Sequence, residues 1–267
     1  MKVQTASIIA TVVIMALCVC TTVSMAATWG PVQQIEFDKA ELPENLYSKF
    51  TGNAANSVLQ YCLPASYSKS KDYPLIVYVP GFHGHPGGNI ENAKDIADGY
   101  ECVVLSLPLF KADIDRTEVA KGVVVSFADY PVLSNAYKIM FQQFYQEVPN
   151  IDRSKSAMVG YSNGAITVAV LISSHDRYIL ERFHSYCLVD HGMFHLTDLH
   201  KDLTRDRRFL ILVGDKGDYG ELKLRGARLA EDSYQLLGIG VETRILANTG
   251  HELTAACKKD IGAWVFQ

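Results

Sequence analysis

Five residues, Gly160-Tyr161-Ser162-Asn163-Gly164, set a hydroxyl nucleophile between two glycines. A short apolar run, 157–159, precedes them, and another, 165–172, follows. The pattern is strand, sharp turn, helix. A Gly-x-Ser-x-Gly segment in that setting is a nucleophile elbow, in which the serine stands at the top of a sheet in a strained backbone conformation. Such strain costs about 1–3 kcal/mol and persists only where the surroundings enforce it. The turn packs strand against helix so closely that side chains two residues either side of the serine would collide, and glycine at 160 and 164 removes both. A glycine-rich turn without chemistry is the alternative reading, so the weight falls on the partners a serine needs.

A serine hydroxyl is a weak nucleophile unless a base takes its proton. His251 lies in Thr249-Gly250-His251-Glu252, where an apolar run has ended and a helical one is about to start. Its imidazole can take the proton and later return it to a leaving group. A carboxylate is needed to hold the imidazole tautomer and stabilise its cation. Chain order, with serine first, then an acid in a loop after an apolar run, then histidine, points to the loop Gly214-Asp215-Lys216-Gly217-Asp218. Asp218 is preferred, being far enough out to reach across, and Asp215 is the alternative. Two backbone N–H groups must receive the developing oxyanion. Asn163, directly after the nucleophile, supplies one, and the loop Gly81-Phe82-His83-Gly84 supplies the other, with Phe82 as the donor. His83 and His85 have no acidic or thiol partner nearby, so no metal is expected, and no motif implies a cofactor. Tyr161 is expected to pack under the elbow and Asn163 to start the helix. Asp190, His191 and His195 follow another strand at the same edge, where they either line the pocket or serve the loop's own structure.

The elements that must position these groups follow from periodicity. Residues 74–79 form a continuous apolar run rich in β-branched side chains, the mark of a strand buried on both faces. Similar runs at 102–107, 186–189, 209–213 and 241–246 read as strands, with an alternating strand at 57–63 and an edge strand at 33–37 in an otherwise polar N-terminal arm. Helical spacing marks 90–99, 132–148, 165–172, 222–237 and 253–265. The composition of 80–88 excludes regular structure, and 110–129 is irregular. Strands alternating with helices give an α/β domain with a mostly parallel central sheet and helices on both faces. In such sheets ligands bind beyond the carboxyl ends of the strands, where Ser162, both aspartates and His251 lie.

The 267 residues suit one α/β domain or two small ones, and without a domain linker or internal repeat the reading is one. A net charge of −4 excludes the basic excess that nucleic acid or an anionic membrane would call for. Lys2 followed by the apolar stretch 8–23 and the small residues Ser24, Ala26 and Ala27 reads as a secretory signal peptide. Cleavage after Ala26 is preferred over Ala27, leaving 27–267 as a single domain. An uncleaved anchor is the alternative, although the apolar core is shorter than the roughly 20 residues of a membrane span. Two of the six cysteines fall in this leader. Cys62, Cys102, Cys187 and Cys257 remain, free to pair in an oxidising compartment or to stay as buried thiols.

Four segments together resemble a known family: 59–64 (Leu-Gln-Tyr-Cys-Leu-Pro), 73–81 (Tyr-Pro-Leu-Ile-Val-Tyr-Val-Pro-Gly), 159–164 and 250–252. The chain resembles secreted α/β-hydrolases of the esterase D, feruloyl-esterase and polyhydroxybutyrate-depolymerase-like group. The resemblance implies the α/β-hydrolase fold, Ser162 as nucleophile, His251 as base and Asp218, followed by Tyr-Gly, as acid. It departs in having Pro80-Gly81 where the family has His-Gly. In this fold the strands of Cys62 and Cys102 are antiparallel neighbours, so a Cys62–Cys102 disulfide is implied. The expectation is an exported serine hydrolase of carboxylic esters. The short connection from 189 to 209 leaves no room for a large lid, which favours acyl groups on bulky carriers such as polysaccharides over long-chain lipids; the partner expected is a small-molecule or polysaccharide-linked ester substrate. A serine peptidase of similar build and a non-catalytic binding module are the alternatives. The sequence leaves oligomeric state open.

Overall fold

The computed structural model describes residues 29–38, 41, 46–48, 56–81, 86–112, 130–193, 204–217 and 220–267. The strands are β1 (Gln33–Asp38), β2 (Leu46–Ser48), β3 (Asn56–Cys62), β4 (Leu75–Val79), β5 (Val103–Ser106), β6 (Phe110–Ala112), β7 (Ala157–Tyr161), β8 (Ser185–Val189), β9 (Arg208–Gly214) and β10 (Gly240–Leu246). The α-helices are α1 (Pro86–Ile96), α2 (Tyr130–Glu147), α3 (Asn163–Ser173), α4 (Arg177–Leu180), α5 (Gly220–Leu236) and α6 (Ala255–Val265).

Eight strands form one sheet in the order β1-β3-β5-β4-β7-β8-β9-β10. The first two pairings, β1 with β3 and β3 with β5, are antiparallel. The remaining five are parallel. The apolar runs read as central strands are buried on both faces: every residue of β4, β5 and β8 is buried. Alternation then divides them between two cores. Leu75, Val77, Val79, Met158, Leu188 and Ile211 face a core closed by α2, α3 and α5. Ile76, Tyr78, Val159, Val189 and Leu212 face the other, closed by α1 and α6 through Ile90, Ile96, Ile261 and Trp264. The expected mostly parallel sheet with helices on both faces is therefore what forms.

Two local expectations need correction. Helix α1 begins at Pro86, inside the glycine-rich segment read as a loop. Proline at the first helical position has the right φ, and its missing N–H is one the helix would leave unpaired there. In the segment read as irregular, β6 pairs antiparallel with β2, three residues each, as Leu46↔Ala112, Tyr47↔Lys111 and Ser48↔Phe110. Strands that short carry no legible period.

The expected Cys62–Cys102 disulfide is also absent: all four described cysteines are free and buried. Cys62 stands opposite Val104 in the ladder, so Cys102, two residues earlier, is out of register with it. The leader, residues 1–26, lies outside the described residues. Among those described, no helix is long and apolar enough to cross a membrane.

Candidate active site

Ser162 joins β7 to α3 with φ 55° and ψ −120°, a conformation that side chains other than glycine rarely adopt. The sequence enforces it from both sides. A Cβ on Gly160 would lie 2.4 Å from the Gly164 carbonyl oxygen, and one on Gly164 would lie 2.0 Å from that of Val79. Neither position tolerates a side chain, so strand and helix close on the turn and lift the serine. Helix α3 starts at Asn163, as expected, which sets the backbone N–H of that residue at the positive end of a buried helix. Gly81 approaches from β4: a Cβ there would be 3.1 Å from Ser162 Cβ. Phe82, the expected second oxyanion donor, lies outside the described residues.

The Ser162 hydroxyl donates to His251 Nε2 at 2.8 Å. His251 Nδ1–H donates in turn to a carboxylate, and that carboxylate belongs to Asp190. The acid expected from the sequence is Asp218, with Asp215 as the alternative; the structure brings Asp190 to the imidazole. Asp218 lies outside the described residues, and Asp215 is exposed, with its backbone N–H given to Leu246 O at 3.3 Å. The physical reason lies in the ladder. Tyr161 pairs with Val189, and Ser162 N–H donates to Val189 O at 2.9 Å. Asp190 therefore follows the strand adjoining that of Ser162, one residue beyond the paired end. The loop after β9 has a different task. Lys216 N–H donates to Thr249 O at 2.9 Å, and Gly214 passes so close that a Cβ would lie 2.4 Å from the same oxygen. That loop braces the histidine loop.

Asp190 is itself held in the left-handed region, φ 59°, and is buried. Its backbone N–H donates to Leu212 O at 2.7 Å. Its Oδ1 receives Lys223 Nζ at 2.7 Å and Gly214 N–H at 3.3 Å, while Oδ2 faces the imidazole. Burial pushes the carboxyl upward, but the hydrogen bonds from His251 and Lys223, with the Lys223 and His251 charges, outweigh it and hold the group below its usual range. It is thus an acceptor, which fixes Nδ1 as the protonated nitrogen and leaves Nε2 to accept from the serine. The sequence reading placed Asp190 at the right edge of the sheet without giving it this part. The signal that could have found it is Asp-His-Gly directly after a fully apolar strand. Gly192 has φ 88°, and a Cβ there would lie 2.5 Å from Ala165 O, so the tight exit is built into the sequence. His191 Nδ1 accepts from Gly192 N–H at 2.9 Å, a bond within the loop. His83, His85 and His195 lie outside the described residues.

Tyr161 does more than pack under the turn. Its ring stacks on the His251 imidazole, centroids 5.3 Å apart and planes 27° apart, and its hydroxyl donates to His251 O at 2.8 Å. The His251 side chain is about half exposed and that of Asp190 only 2%, so the relay runs from a dry acid to an imidazole that solvent and ligand can reach.

The chain superposes on a ferulic acid esterase with TM-score 0.60 and 12% identity, covering 90% of this chain and 98% of that one. The fold is that of the α/β-hydrolases. A ferulic acid esterase of the anaerobic fungus Anaeromyces mucronatus matches with TM-score 0.55 and 13% identity over 89% of both chains. A hyperthermophilic esterase of the archaeon Pyrobaculum calidifontis matches with TM-score 0.58 and 12% identity, over 90% of this chain and 84% of that one. No family model and no curated protein matches the sequence. Within this fold Ser162 directly follows β7, Asp190 directly follows β8 and His251 lies in the loop after β10.

Proposed function

We propose that the protein is an exported serine hydrolase that cleaves carboxylic esters through an acyl-enzyme. The observation that carries this is the continuous relay from Ser162 Oγ through His251 to Asp190, anchored on a serine in a strained turn. Strain maintained at a residue that also faces a base is the mark of a preorganised nucleophile. Export rests on the leader sequence, and ester chemistry on the fold shared with esterases.

In this reading His251 Nε2 takes the proton as Ser162 Oγ attacks the acyl carbon. The tetrahedral oxyanion is received by the backbone N–H of Asn163 and by a second donor from the loop that begins at Gly81, with Phe82 as the residue proposed. Collapse releases the alcohol, which takes the proton from His251. Water, deprotonated by the same imidazole, then frees the acid. Asp190 stays ionised throughout and stabilises the imidazolium. An imidazole half open to solvent suits an alcohol portion larger than the site itself, so acyl groups borne on polysaccharide or other bulky carriers are the substrates proposed.

A fluorophosphonate probe tests the nucleophile: the chain starting at residue 27 is expected to label at Ser162 and to lose labelling in Ser162→Ala. A folded wild-type protein that does not label overturns the reading. A panel of acetyl, butyryl and feruloyl esters beside peptide substrates then sets the class, with ester turnover expected and peptide turnover alone counting against it.

A further inference from the structure

We propose that Lys223 is a positioning residue for the relay, locking the Asp190 carboxylate and setting the lower pH limit of His251 as a base. The proposal rests on the serine-hydrolase reading above. Lys223 lies in the first turn of α5 and turns its ammonium inward: its side chain is 11% exposed and its Nζ is 2.7 Å from Asp190 Oδ1. A lysine on a helix ordinarily extends its charged end to water along apolar surface, and a buried lysine is rare unless paired. Its neighbours Glu221, Leu222 and Arg225 on the same helix are exposed. The inward course of Lys223 is therefore specific to the carboxylate it meets.

Two consequences follow. Oδ1 is held by Lys223 and by Gly214 N–H, so the carboxylate cannot rotate and Oδ2 stays aimed at Nδ1. A fixed positive charge on the far oxygen also offsets part of the pull that the carboxylate exerts on an imidazolium. Among the described residues, four titratable groups face Asp190: His251 from the loop after β10, Tyr161 from β7, Cys257 from α6 and Lys223 from α5. Burial, then the charges of Asp190 and Glu252, push the Tyr161 hydroxyl up to about 12. Burial, then the Asp260 and Asp190 charges, push the Cys257 thiol up to about 12. Both are neutral in the working range, and Glu252 is itself exposed. Lys223 thus supplies the fixed cation at this carboxylate among the described residues.

The experiment is the pH profile of kcat/KM for a short soluble ester in wild type, Lys223→Met, Lys223→Gln and Lys223→Arg. In the methionine and glutamine variants the acid limb is expected to move up by about one pH unit, the lower end of what a neighbouring charge commands. The methionine variant, which also loses the hydrogen bond, should show the lower plateau. The arginine variant keeps the charge, and its acid limb should stay at the wild-type position. A merely structural lysine would lower the plateau or the melting temperature and leave the limb in place, and that result overturns the proposal. Should neither the methionine nor the glutamine variant fold, Lys223→Ala, which leaves room for water beside Asp190, takes their place: a limb raised by about one pH unit supports the proposal, and a limb at the wild-type position overturns it. A wild type that neither labels with fluorophosphonate nor turns over esters is a failure of the hydrolase reading. A labelled enzyme whose limb ignores Lys223 is a failure of this proposal alone.

Discussion

The Tyr161 hydroxyl donates to the backbone carbonyl of His251 at 2.8 Å while its ring stacks on the imidazole. The residue preceding Ser162 thus holds the His251 side chain and backbone from two directions. Without this clamp the imidazole would be oriented by its bonds to Asp190 and Ser162 and by the bracing of its loop at Thr249.

Tyr161→Phe keeps the stack and removes the hydrogen bond. A single neutral hydrogen bond is worth about 1 kcal/mol net, so kcat should fall about fivefold with KM unchanged. Tyr161→Ala removes the stack as well, and aromatic pairing of this kind contributes a further ~0.5–1.5 kcal/mol. Steady-state kinetics on one ester separates the two steps. Equal activity in all three proteins would show that the loop needs no clamp.

The acid can be assigned by substitution. Asp190→Asn is expected to lower kcat about 10⁴-fold, because the amide presents the wrong partner to Nδ1, whereas Asp215→Asn and Asp218→Asn should stay close to wild type. Stability gives an independent readout with a definite sign. The Asp190 carboxyl is held below its unfolded value, so its contribution is present above an unfolded pKa near 3.9 and is lost as pH falls through the native value. Below that unfolded value the gap in melting temperature between wild type and Asp190→Asn should therefore close on further acidification. A gap that fails to close below the unfolded carboxyl value would contradict this, as would loss of activity on Asp218→Asn with Asp190→Asn unaffected.

What could be read from the residues beforehand depended on whether a group was fixed by local pattern or by tertiary reach. Ser162 was legible because glycines at 160 and 164, an apolar strand before and an apolar helix after leave the chain one way to turn. His251 was legible because its loop follows the last strand. The acid was not, since Asp190, Asp215 and Asp218 all follow buried parallel strands at one edge, and periodicity says nothing of how far each loop reaches. The deciding facts were the β7–β8 register and the bracing of Thr249 by Lys216, neither of which has a signature in the sequence. Lys223 escaped notice for a related reason: on a helix with exposed neighbours it reads as one more surface cation.

The cysteines admit a clean test because their burial opposes the chemistry of an oxidising compartment. Burial pushes all four thiols up, Cys102 and Cys187 well above the ordinary range, Cys257 to about 12 and Cys62 in the same direction. The thiolate is the reactive form, and a thiol that is both buried and protonated neither attacks a disulfide nor is reached by one. Cys62 and Cys102, the pair the fold family suggests, are offset in the ladder rather than opposed. The chain starting at residue 27 should therefore show no rapid reaction with Ellman's reagent when native at pH 8, and four reacting thiols in denaturant without any reductant. Two reacting thiols in denaturant would establish a disulfide and reverse the conclusion drawn from the ladder register. Rapid native reaction would instead place at least one thiol outside the core formed by α1, α6 and the adjoining sheet face.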